Sequence, residues 1–469
     1  MDEQLATLWS RVRARWACLA GATATVRVDP AVRYQIVEGW GTALAWWGHV
    51  VGGWRDATRN AIADLVFSST SGLGFNVVRY NVGGGDHPTH RHMRPGGDVP
   101  GFQPVPGVWD WSADAGQRWM LRAAQARGAT IFEAFANSPP YRMTRSQCAA
   151  GAEDGGNNLR DEYVDAFAAY LAEVVAHFRN EWGLVFRTVE PLNEPSASNW
   201  KCFNSQEGCH VSRDQQNALI ARLGAHLAAR GLTGTTVAAA DEYSIDDMVA
   251  TASAYDRTTL SYLSQFNTHS YSGTRRADLR ALAAAHGKRL WMSEWGAGAG
   301  PHDHNAMAPA LRLAEQIRRD MTDLQPVAWV YWQAVEHEQQ NNWGFIHADF
   351  TGAGDEYWLT KQYYAMGHYS RFIRPGFQIL GVDDMNTLAA YDHASGTLVV
   401  VYANGTAQET SVRVDLSRFG RSTGSATVYR TSAAENLARL PDIPLAGNSL
   451  TAPAPAQSIS TYVITALMG

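Results

Sequence analysis

The sequence predicts an α/β fold, a (β/α)8 TIM barrel with an appended antiparallel β-sandwich, and two patterns lead to this prediction. Short apolar segments alternate with helical segments about eight times up to residue 365. Such alternation indicates a parallel sheet, and about eight units over roughly 250 residues or more are typical of a TIM barrel. Beyond residue 365, short alternating strands separated by turn residues show no helical periodicity, which is typical of a sandwich.

Each predicted barrel strand is a short apolar run that ends in Gly, Asn, Ser or Pro. Amphipathic helices are predicted between the runs, for example over 161–180, where seven apolar residues share one helical face. A doubly wound sheet is the competing fold, but the Gly83–Gly85 run followed by Asp86 does not match its glycine fingerprint. The predicted strands are 37–47, 75–85, 129–140, 186–195, 236–243, 263–271, 288–296 and 327–334.

These patterns predict two domains. The barrel is expected over 37–365 and the sandwich over 366–469, with a strand segment around 22–36 joining the sandwich from the N-terminal side. No low-complexity linker separates the two parts, so we expect them to pack rigidly.

Composition excludes several classes of function. The 469 residues carry a net charge of −6 and no long basic run, which argues against nucleic-acid binding. No apolar stretch reaches about 18 residues, so no membrane span is predicted. The chain contains 17 Trp, 18 Tyr and 15 Phe. Flat aromatic rings serve both large cores and sugar-binding clefts, and composition alone leaves both uses open.

The N-terminus and the cysteines leave the cellular location open. The first residues are acidic and Arg residues interrupt any apolar run, so the segment is not a signal peptide. The protein is therefore cytoplasmic, or a native leader was removed. Cys202 and Cys209 could close a small loop as a disulfide, which would imply export, whereas Cys18 and Cys148 do not decide the question.

Two carboxylates stand at the ends of facing barrel strands. Glu194 ends the fourth strand in LNEP and Glu294 ends the seventh in SEWG. The C-terminal ends of barrel strands form the active site, and strands four and seven face each other across the barrel. A pair of carboxylates about 5–5.5 Å apart is what a retaining glycosidase requires. One Glu alone is a weak signal, since either could instead form a structural ion pair with Arg79.

Neighbouring residues fit the same chemistry. Asn193 could hydrogen-bond a substrate hydroxyl, and Tyr271 at the end of the sixth strand could hydrogen-bond the nucleophile. Arg79 on the second strand could keep a nearby carboxylate ionised. Trp332 on the eighth strand could form the floor of a sugar site. Packing of the barrel interior is the alternative explanation for Arg79 and the aromatic residues.

Other chemistries have weaker signals. No G-x-S-x-G elbow is present, and Cys148 has no evident His partner in the sequence. Two groups of histidines could hold a metal, but neither has the tight helical spacing of H-E-x-x-H, so we predict no metal and no other cofactor and assign the histidines to sugar contacts or solvated loops. These histidines are His87, His90, His92, His302 and His304.

The chain resembles glycoside hydrolase family 30 over nearly its whole length. The motifs that carry the resemblance are GWGTALAWW (39–47), NSPPYRM (137–143), LNEP (192–195), THSY (268–271), SEWG (293–296) and PAPAQSISTYVI (453–464). The resemblance implies that Glu194 is the acid/base and Glu294 the nucleophile. It also implies a substrate-binding role for His269 within THSY, and it makes further tryptophans candidates to line the cleft, namely Trp46, Trp47, Trp200 and Trp343.

Within the family, the loops GGGDHPTHRHMRPGG and NWKCFNSQEGCHVS look most like those of endo-β-1,6-galactanases. Asn137 stands before Ser-Pro-Pro where many relatives acting on glucosides or xylans carry Trp, which suggests a sugar with a polar, axial hydroxyl. The resemblance thus implies a secreted, monomeric retaining hydrolase of β-1,6-linked galactan. A β-1,6-glucanase or β-xylanase with the same mechanism is the alternative, and a non-catalytic carbohydrate-binding barrel is the alternative from another class.

Overall fold

The structure, a computed structural model, describes residues 23–297, 303–337, 343–351, 356–420 and 424–465. It confirms the predicted fold class. After a first strand β1 (Thr23–Ile36), eight parallel strands form a closed barrel. They are β2 (Gly39–Ala43), β3 (Val77–Asn81), β4 (Ile131–Phe135), β5 (Thr188–Glu190), β6 (Thr236–Ser244), β7 (Leu263–Ser272), β8 (Arg289–Trp295) and β9 (Ala328–Gln333).

Helices cover the outer face of the barrel, and the amphipathic pattern of the sequence explains where they lie. In the longest described helix, which ends before Gly183, all seven predicted apolar positions are buried. Gly183 has a φ of 64°, a left-handed conformation that glycine adopts without strain at a helix end. The helices are α1 (Trp47–Val51), α2 (Asp56–Phe67), α3 (Ala115–Ala126), α4 (Val164–Trp182), α5 (Arg213–Ala229), α6 (Ile245–Ser253), α7 (Arg257–Tyr262), α8 (Arg276–Ala285), α9 (Met307–Arg319) and α10 (Lys361–Ser370).

A small three-stranded sheet follows the eighth barrel strand, and the sequence patterns did not predict it. It consists of β10 (Val335–His337), β11 (Ile346–Ala348) and β12 (Tyr357–Leu359). Strands of three residues are too short to show a period of two in the sequence.

The second layer of the molecule is a nine-stranded sheet that is antiparallel except for one pair. β1 pairs in antiparallel orientation with β13 and in parallel orientation with β16, so the predicted N-terminal strand does join this sheet. One apolar cluster contains residues from both halves of the sheet, which therefore folds over on itself. The strands are β13 (Gln378–Val382), β14 (Thr387–Asp392), β15 (Thr397–Asn404), β16 (Thr410–Asp415), β17 (Ser425–Thr431), β18 (Ala438–Pro444), β19 (Ser449–Ala454) and β20 (Ser458–Ile464).

Both faces of the central strand β15 are buried, and this joins the sheet to the barrel. Leu398 and Val400 belong to the core of the folded sheet, whereas Val399 and Val401 belong to the core shared with the barrel and its helices. Apolar side chains on alternate residues of one strand therefore stabilise two different cores. The predicted boundary between residues 365 and 366 falls within α10, and the domain division stays a prediction.

Lys361 at the start of α10 anchors this helix to the sheet. Its Nζ donates to the carbonyl oxygens of Ser432, at 2.6 Å, Ala433 and Glu435, and to Oδ1 of Asn436. A buried ammonium group is costly unless its donors are satisfied, and these four acceptors satisfy it.

Two sequence predictions concern features that the fold addresses only in part. No helix in the described ranges is long and apolar enough to cross a membrane. The prediction about the N-terminal segment, including Cys18, falls outside the described residues. Cys202 and Cys209 are free in the structure, so the disulfide considered between them is absent from this part of the chain.

Candidate active site

The two predicted glutamates meet at the C-terminal end of the barrel. Glu294 lies within β8, and Glu194 lies four residues beyond the end of β5. Glu194 has a φ of 46°, which is uncommon for a residue with a side chain, and its N–H donates to the carbonyl oxygen of Asp241 at 2.8 Å. Oxygen atoms of the two carboxylates lie within 4.8 Å of each other. This proximity suits the closely spaced carboxylates of a retaining pair.

His269 on β7 lies behind both carboxylates and is completely buried. Its Nδ1 is 3.1 Å from Oε1 of Glu194, and its Nε2 is 3.6 Å from both Oε2 of Glu294 and Oδ1 of Asp241. By resemblance, His269 was expected to bind substrate. The geometry places it against the carboxylates and away from the open cleft.

Burial and charge act on this group together. Burial raises the pKa of Glu294 and the Glu194 carboxylate raises it further, to about 7, against the lowering effect of His269 and Arg79. Burial alone would lower the pKa of His269, but Glu294, Asp241 and Glu194 raise it to about 10. Two carboxylates this close resist ionising together. A pair that resists full ionisation suits retaining hydrolysis, which begins with one acid and one base.

Arg79 lies one layer deeper, with no exposed surface. Its Nε donates to Glu133 at 2.8 Å, and its Nη2 forms a short ion pair with Asp241. Its Nη1 is 3.9 Å from Oε2 of Glu294. These carboxylates raise the pKa of Arg79 although burial opposes them, so it is a permanent positive charge. Arg79 is thus placed to favour ionised Glu294, and it cannot contact substrate directly.

Tyr271 and Asn193 approach the carboxylates from the cleft side. The Tyr271 hydroxyl donates to Oε1 of Glu294 at 3.0 Å, the contact that the sequence analysis expected. Asn193 lines the cleft beside Glu194, and its Oδ1 has no hydrogen-bond partner in the described part of the chain. A buried amide oxygen without a partner is available to a ligand hydroxyl.

Aromatic side chains form the walls of a cleft of about 350 Å³ above the two glutamates. Trp46 and Trp332 pack edge to face with ring centroids 5.2 Å apart. Trp200 donates from Nε1 to the backbone carbonyl of Glu194 at 3.1 Å and so holds that residue in place. Trp343 packs against the apolar cluster that contains Trp46 and Trp332, and its ring centroid is 6.4 Å from that of Tyr271.

Besides Arg79 and His269, two further predicted residues do not line this cleft. Trp47 is completely buried, donates from Nε1 to the carbonyl oxygen of Ala43 at 2.7 Å and stacks on Phe67. The expectation that Trp47 lines the cleft is corrected, because its ring points into the core between α1 and α2. Asn137 lies two residues beyond β4, is 3% exposed and is not among the residues that line the cleft.

Sequence reasoning missed several residues at this end of the barrel. Asp241 follows the apolar run of β6, so the rule of polar residues at strand ends could have found it. Arg94 lines the cleft from the loop after β3, where its guanidinium lies 4.3 Å from the ring centroid of Trp46 and pairs with Glu336. No local pattern marks Arg94, because its partners are distant in sequence. Five other residues line the cleft and were also missed, namely Asn199, Asn204, Ser205, Gln206 and Tyr243.

Comparison with known proteins identifies the class of protein to which this fold and site belong. The chain belongs to O-glycosyl hydrolase family 30, whose sequence profile matches residues 23–289, and it is a glycoside hydrolase. It is 36% identical over 445 residues to an endo-β-1,6-galactanase of Hypocrea rufa, covering 88% of each chain. It is 27% identical to an exo-β-1,6-galactobiohydrolase of Bifidobacterium longum, covering 82% of this chain and 34% of the relative.

Solved structures share the fold at lower identity. An exported protein of Bacteroides fragilis matches with a TM-score of 0.78 at 22% identity, covering 94% of this chain and all of the other. The catalytic domain of a family 30 xylanase from Talaromyces cellulolyticus matches with a TM-score of 0.73, also at 22% identity and with the same coverage. At this level of identity, the similarity establishes the fold alone.

Proposed function

We propose that this protein is a retaining endo-acting hydrolase of β-1,6-linked galactan, with Glu294 as nucleophile and Glu194 as acid/base. The observation that carries the proposal is the carboxylate pair, with oxygens within 4.8 Å, at the strand ends of a chain 36% identical to an endo-β-1,6-galactanase. Both members of the pair are present, which argues against a non-catalytic binding barrel.

The proposed reaction begins with one proton on the carboxylate pair. Glu294 attacks the anomeric carbon while Glu194 protonates the leaving glycosidic oxygen. Glu194 then removes a proton from the water that hydrolyses the covalent intermediate. Tyr271 donates a hydrogen bond to the nucleophile, and the positive charges of Arg79 and His269 lie against its other oxygen. These contacts favour the carboxylate form that attacks.

Polar atoms in the cleft support a sugar ligand. In addition to Asn193 Oδ1, the indole N–H groups of Trp46 and Trp343 have no hydrogen-bond partner in the described ranges. A buried donor or acceptor without a partner is costly, and sugar hydroxyls can serve as both donors and acceptors. The indole rings of Trp46 and Trp343 also provide apolar faces for the C–H surface of a pyranose, as in many ligand pockets. We propose that these residues, together with Trp332, hold the sugar that is cleaved.

Product analysis tests the substrate. The protein is incubated with de-arabinosylated arabinogalactan, pustulan and glucuronoxylan in parallel, and products are separated by chromatography. Short β-1,6-galacto-oligosaccharides from the first substrate support the proposal, and galactose or galactobiose alone would indicate exo action. Release from pustulan or xylan instead would leave the two-glutamate mechanism standing and overturn the assignment of the sugar.

Nuclear magnetic resonance tests the stereochemistry independently of the sugar. The anomer released first should be β, as in the substrate, and mutarotation should follow. Initial release of the α-anomer would contradict the roles assigned to the two glutamates.

We also propose that the enzyme is monomeric and acts outside the cell, as the resemblance implies for a hydrolase of a large polysaccharide. Light scattering should give the mass of one chain, 51.3 kDa. Fractionation of the source organism should recover the activity from the medium or cell envelope. A dimer would contradict the first expectation, and activity confined to the cytoplasm the second.

A further inference from the structure

We propose that the loops around the cleft hold a divalent metal ion of the zinc class, bound by Asp86, His90, His92 and Cys148. One ligand atom of each residue lies within 4.8 Å of the others, outside the site of the two glutamates. A carboxylate, two imidazoles and a thiolate form a donor set typical of zinc. The spacing of these histidines in the sequence is not helical and so predicted no metal. The fold brings Cys148, from the loop after β4, to this group as a further ligand.

The distances fit a tetrahedral ion with little movement. Oδ2 of Asp86 is 2.8 Å from Nε2 of His92 and 3.0 Å from Nδ1 of His90. Nε2 of His92 is 3.8 Å from Sγ of Cys148. Ligand atoms around a zinc ion with bonds of about 2.0–2.3 Å lie roughly 3.3–3.7 Å apart. The observed separations lie just below and just above this range, so small movements of the side chains would accommodate the ion.

The tautomer of His92 provides a separate argument. Its Nδ1 is 2.5 Å from the backbone carbonyl oxygen of Asn204, which can only accept a hydrogen bond. Nδ1 therefore carries a proton, and in the neutral ring Nε2 presents a lone pair to the Asp86 carboxylate and the Cys148 sulfur. The Asp86 carboxylate and the Nε2 lone pair face each other at 2.8 Å, which requires a cation between them or a second proton on the ring. A backbone carbonyl on the second nitrogen is also the usual support of a metal-binding histidine.

The other contacts hold the ligands in place. Oδ1 of Asp86 accepts from the backbone N–H of Ala149 at 2.9 Å, which leaves Oδ2 for the ion. The ring of Phe203 covers both histidines, with centroids 5.1 Å from that of His90 and 5.2 Å from that of His92. Cys148 is completely buried.

The ion would join loops that shape the cleft. Asp86, His90 and His92 lie in the loop after β3, Cys148 lies in the loop after β4, and Asn204 lies in the loop after β5. Asn204 also lines the cleft, as does Arg94, two residues after His92. Binding would thus fix the rim of the cleft, and we assign the ion a structural role away from the reacting bond.

The first test is the metal content of the full chain, purified without a histidine tag and without chelators. Mass spectrometry of the metal should find about one zinc per chain. The variants His92→Gln and Asp86→Asn should lose most of it, whereas the matched control Cys209→Ser, a buried cysteine outside the group, should retain it. Zinc below about a tenth of an equivalent, even after incubation with zinc and desalting, would overturn the proposal.

The second test identifies the ligands by cobalt substitution. The cobalt-loaded wild-type chain should show thiolate-to-metal charge-transfer absorption, which Cys148→Ser should abolish and Cys209→Ser should preserve. If Cys148→Ser fails to fold, as circular dichroism would show, the band in the wild-type chain and its loss in His92→Gln carry the test. Absence of the band in the wild-type chain would overturn the thiolate ligand.

A third measurement addresses the competing use of Cys148. Cys202 lies beside Cys148, so the two could instead form a disulfide. A non-reducing peptide map should recover Cys148 and Cys202 as separate thiols. Their recovery as one linked peptide in stoichiometric yield would overturn the proposal. The melting temperature should also fall by several degrees when a strong chelator is added, and addition of zinc should restore it.

Discussion

The barrel and the folded sheet are both closed β-structures, but their interiors have opposite character. Apolar side chains such as those of Val26, Leu398 and Val412 fill the interior of the folded sheet. The barrel has an apolar layer of this kind toward the bottom, around Val77 and Val330. Above that layer its interior is charged and amide-bearing, and every member of the group is completely buried, namely Arg79, Glu133, Asp241, Gln265, Asn267 and His269.

The difference shows what each interior provides. Apolar burial is stabilising without requiring any exact partner, at about 25 cal/mol per Å² removed from water. A buried charge network stabilises little by comparison, and it becomes costly when one member is missing. The upper barrel contains such a network despite its cost, and the charges of this network lie within 4 Å of Glu294. The sheet supports the structure, whereas the barrel interior sets the electrostatic environment of the site.

The largest effect on turnover is expected for Glu294→Gln. An amide cannot attack the anomeric carbon, so kcat should fall by about 10⁴-fold or more, while the melting temperature stays near that of the wild type. The matched control is Glu409→Gln, at an exposed position in the loop between β15 and β16, which should keep full activity. Initial-rate assays on galactan measure both. An active Glu294→Gln enzyme would refute the role of the residue.

Arg79→Met should show most clearly how the charged interior of the barrel differs from the apolar interior of the sheet. It leaves the carboxylates of Glu133 and Asp241 buried without their cation, which should cost about 3–5 kcal/mol of the free energy of unfolding. Urea denaturation measures the loss. Adding Glu133→Gln should recover part of the stability, because one uncompensated charge is removed. A double variant no more stable than Arg79→Met would show that the network does not act through charge.

His269→Asn should change the pH dependence of turnover. Removal of a positive charge 3.6 Å from Glu294 favours the protonated form of this carboxyl group, so its pKa rises further. The profile of kcat/KM against pH should therefore move to higher pH, by about one unit. Tyr243→Phe, at a partly exposed tyrosine that stacks on Tyr271, serves as the control and should leave the profile in place. A shift to lower pH would contradict the charge assigned to His269.

The smallest effect on turnover is expected for Leu398→Ala in the core of the folded sheet. The cavity should lower the free energy of unfolding by about 2–5 kcal/mol. The value of kcat/KM should stay within about twofold of the wild type at a temperature where the variant is folded. Thermal denaturation and initial rates give the two values. A large loss of activity in the folded variant would show that the sheet does more than support the barrel.

The fold was predictable to the level of single strands. Six predicted barrel segments contain the observed strand, and the segments predicted for β6 and β7 each end one residue before the strand does. The agreement arises because each strand covered by helices appears as a short apolar run. The predicted face of α4 is buried as expected, since helical periodicity over many residues is a strong signal. The three-residue strands β10 to β12 escaped prediction because so short a segment carries no period.

The site was predictable only in its outline. Glu194 and Glu294 could be paired from the barrel topology, since facing strands bring their ends together. The same reasoning did not separate Trp46 from its neighbour Trp47. One lines the cleft and the other is buried, and the direction of each ring depends on the loop and helix that follow β2. Arg94 was missed because its partners come from distant loops.

The sequence by itself determined the class of architecture, the order of the elements and the two carboxylates at strand ends, because these follow from local periodicity and a rule of topology. Only the tertiary structure decided how His269, Arg79 and Asp241 surround those carboxylates, and how Cys148 joins the histidines after β3. Such groups bring together side chains from separate strands and loops at distances of 2.8–3.9 Å. Electrostatic interactions and metal coordination depend on these distances, which a linear sequence does not contain.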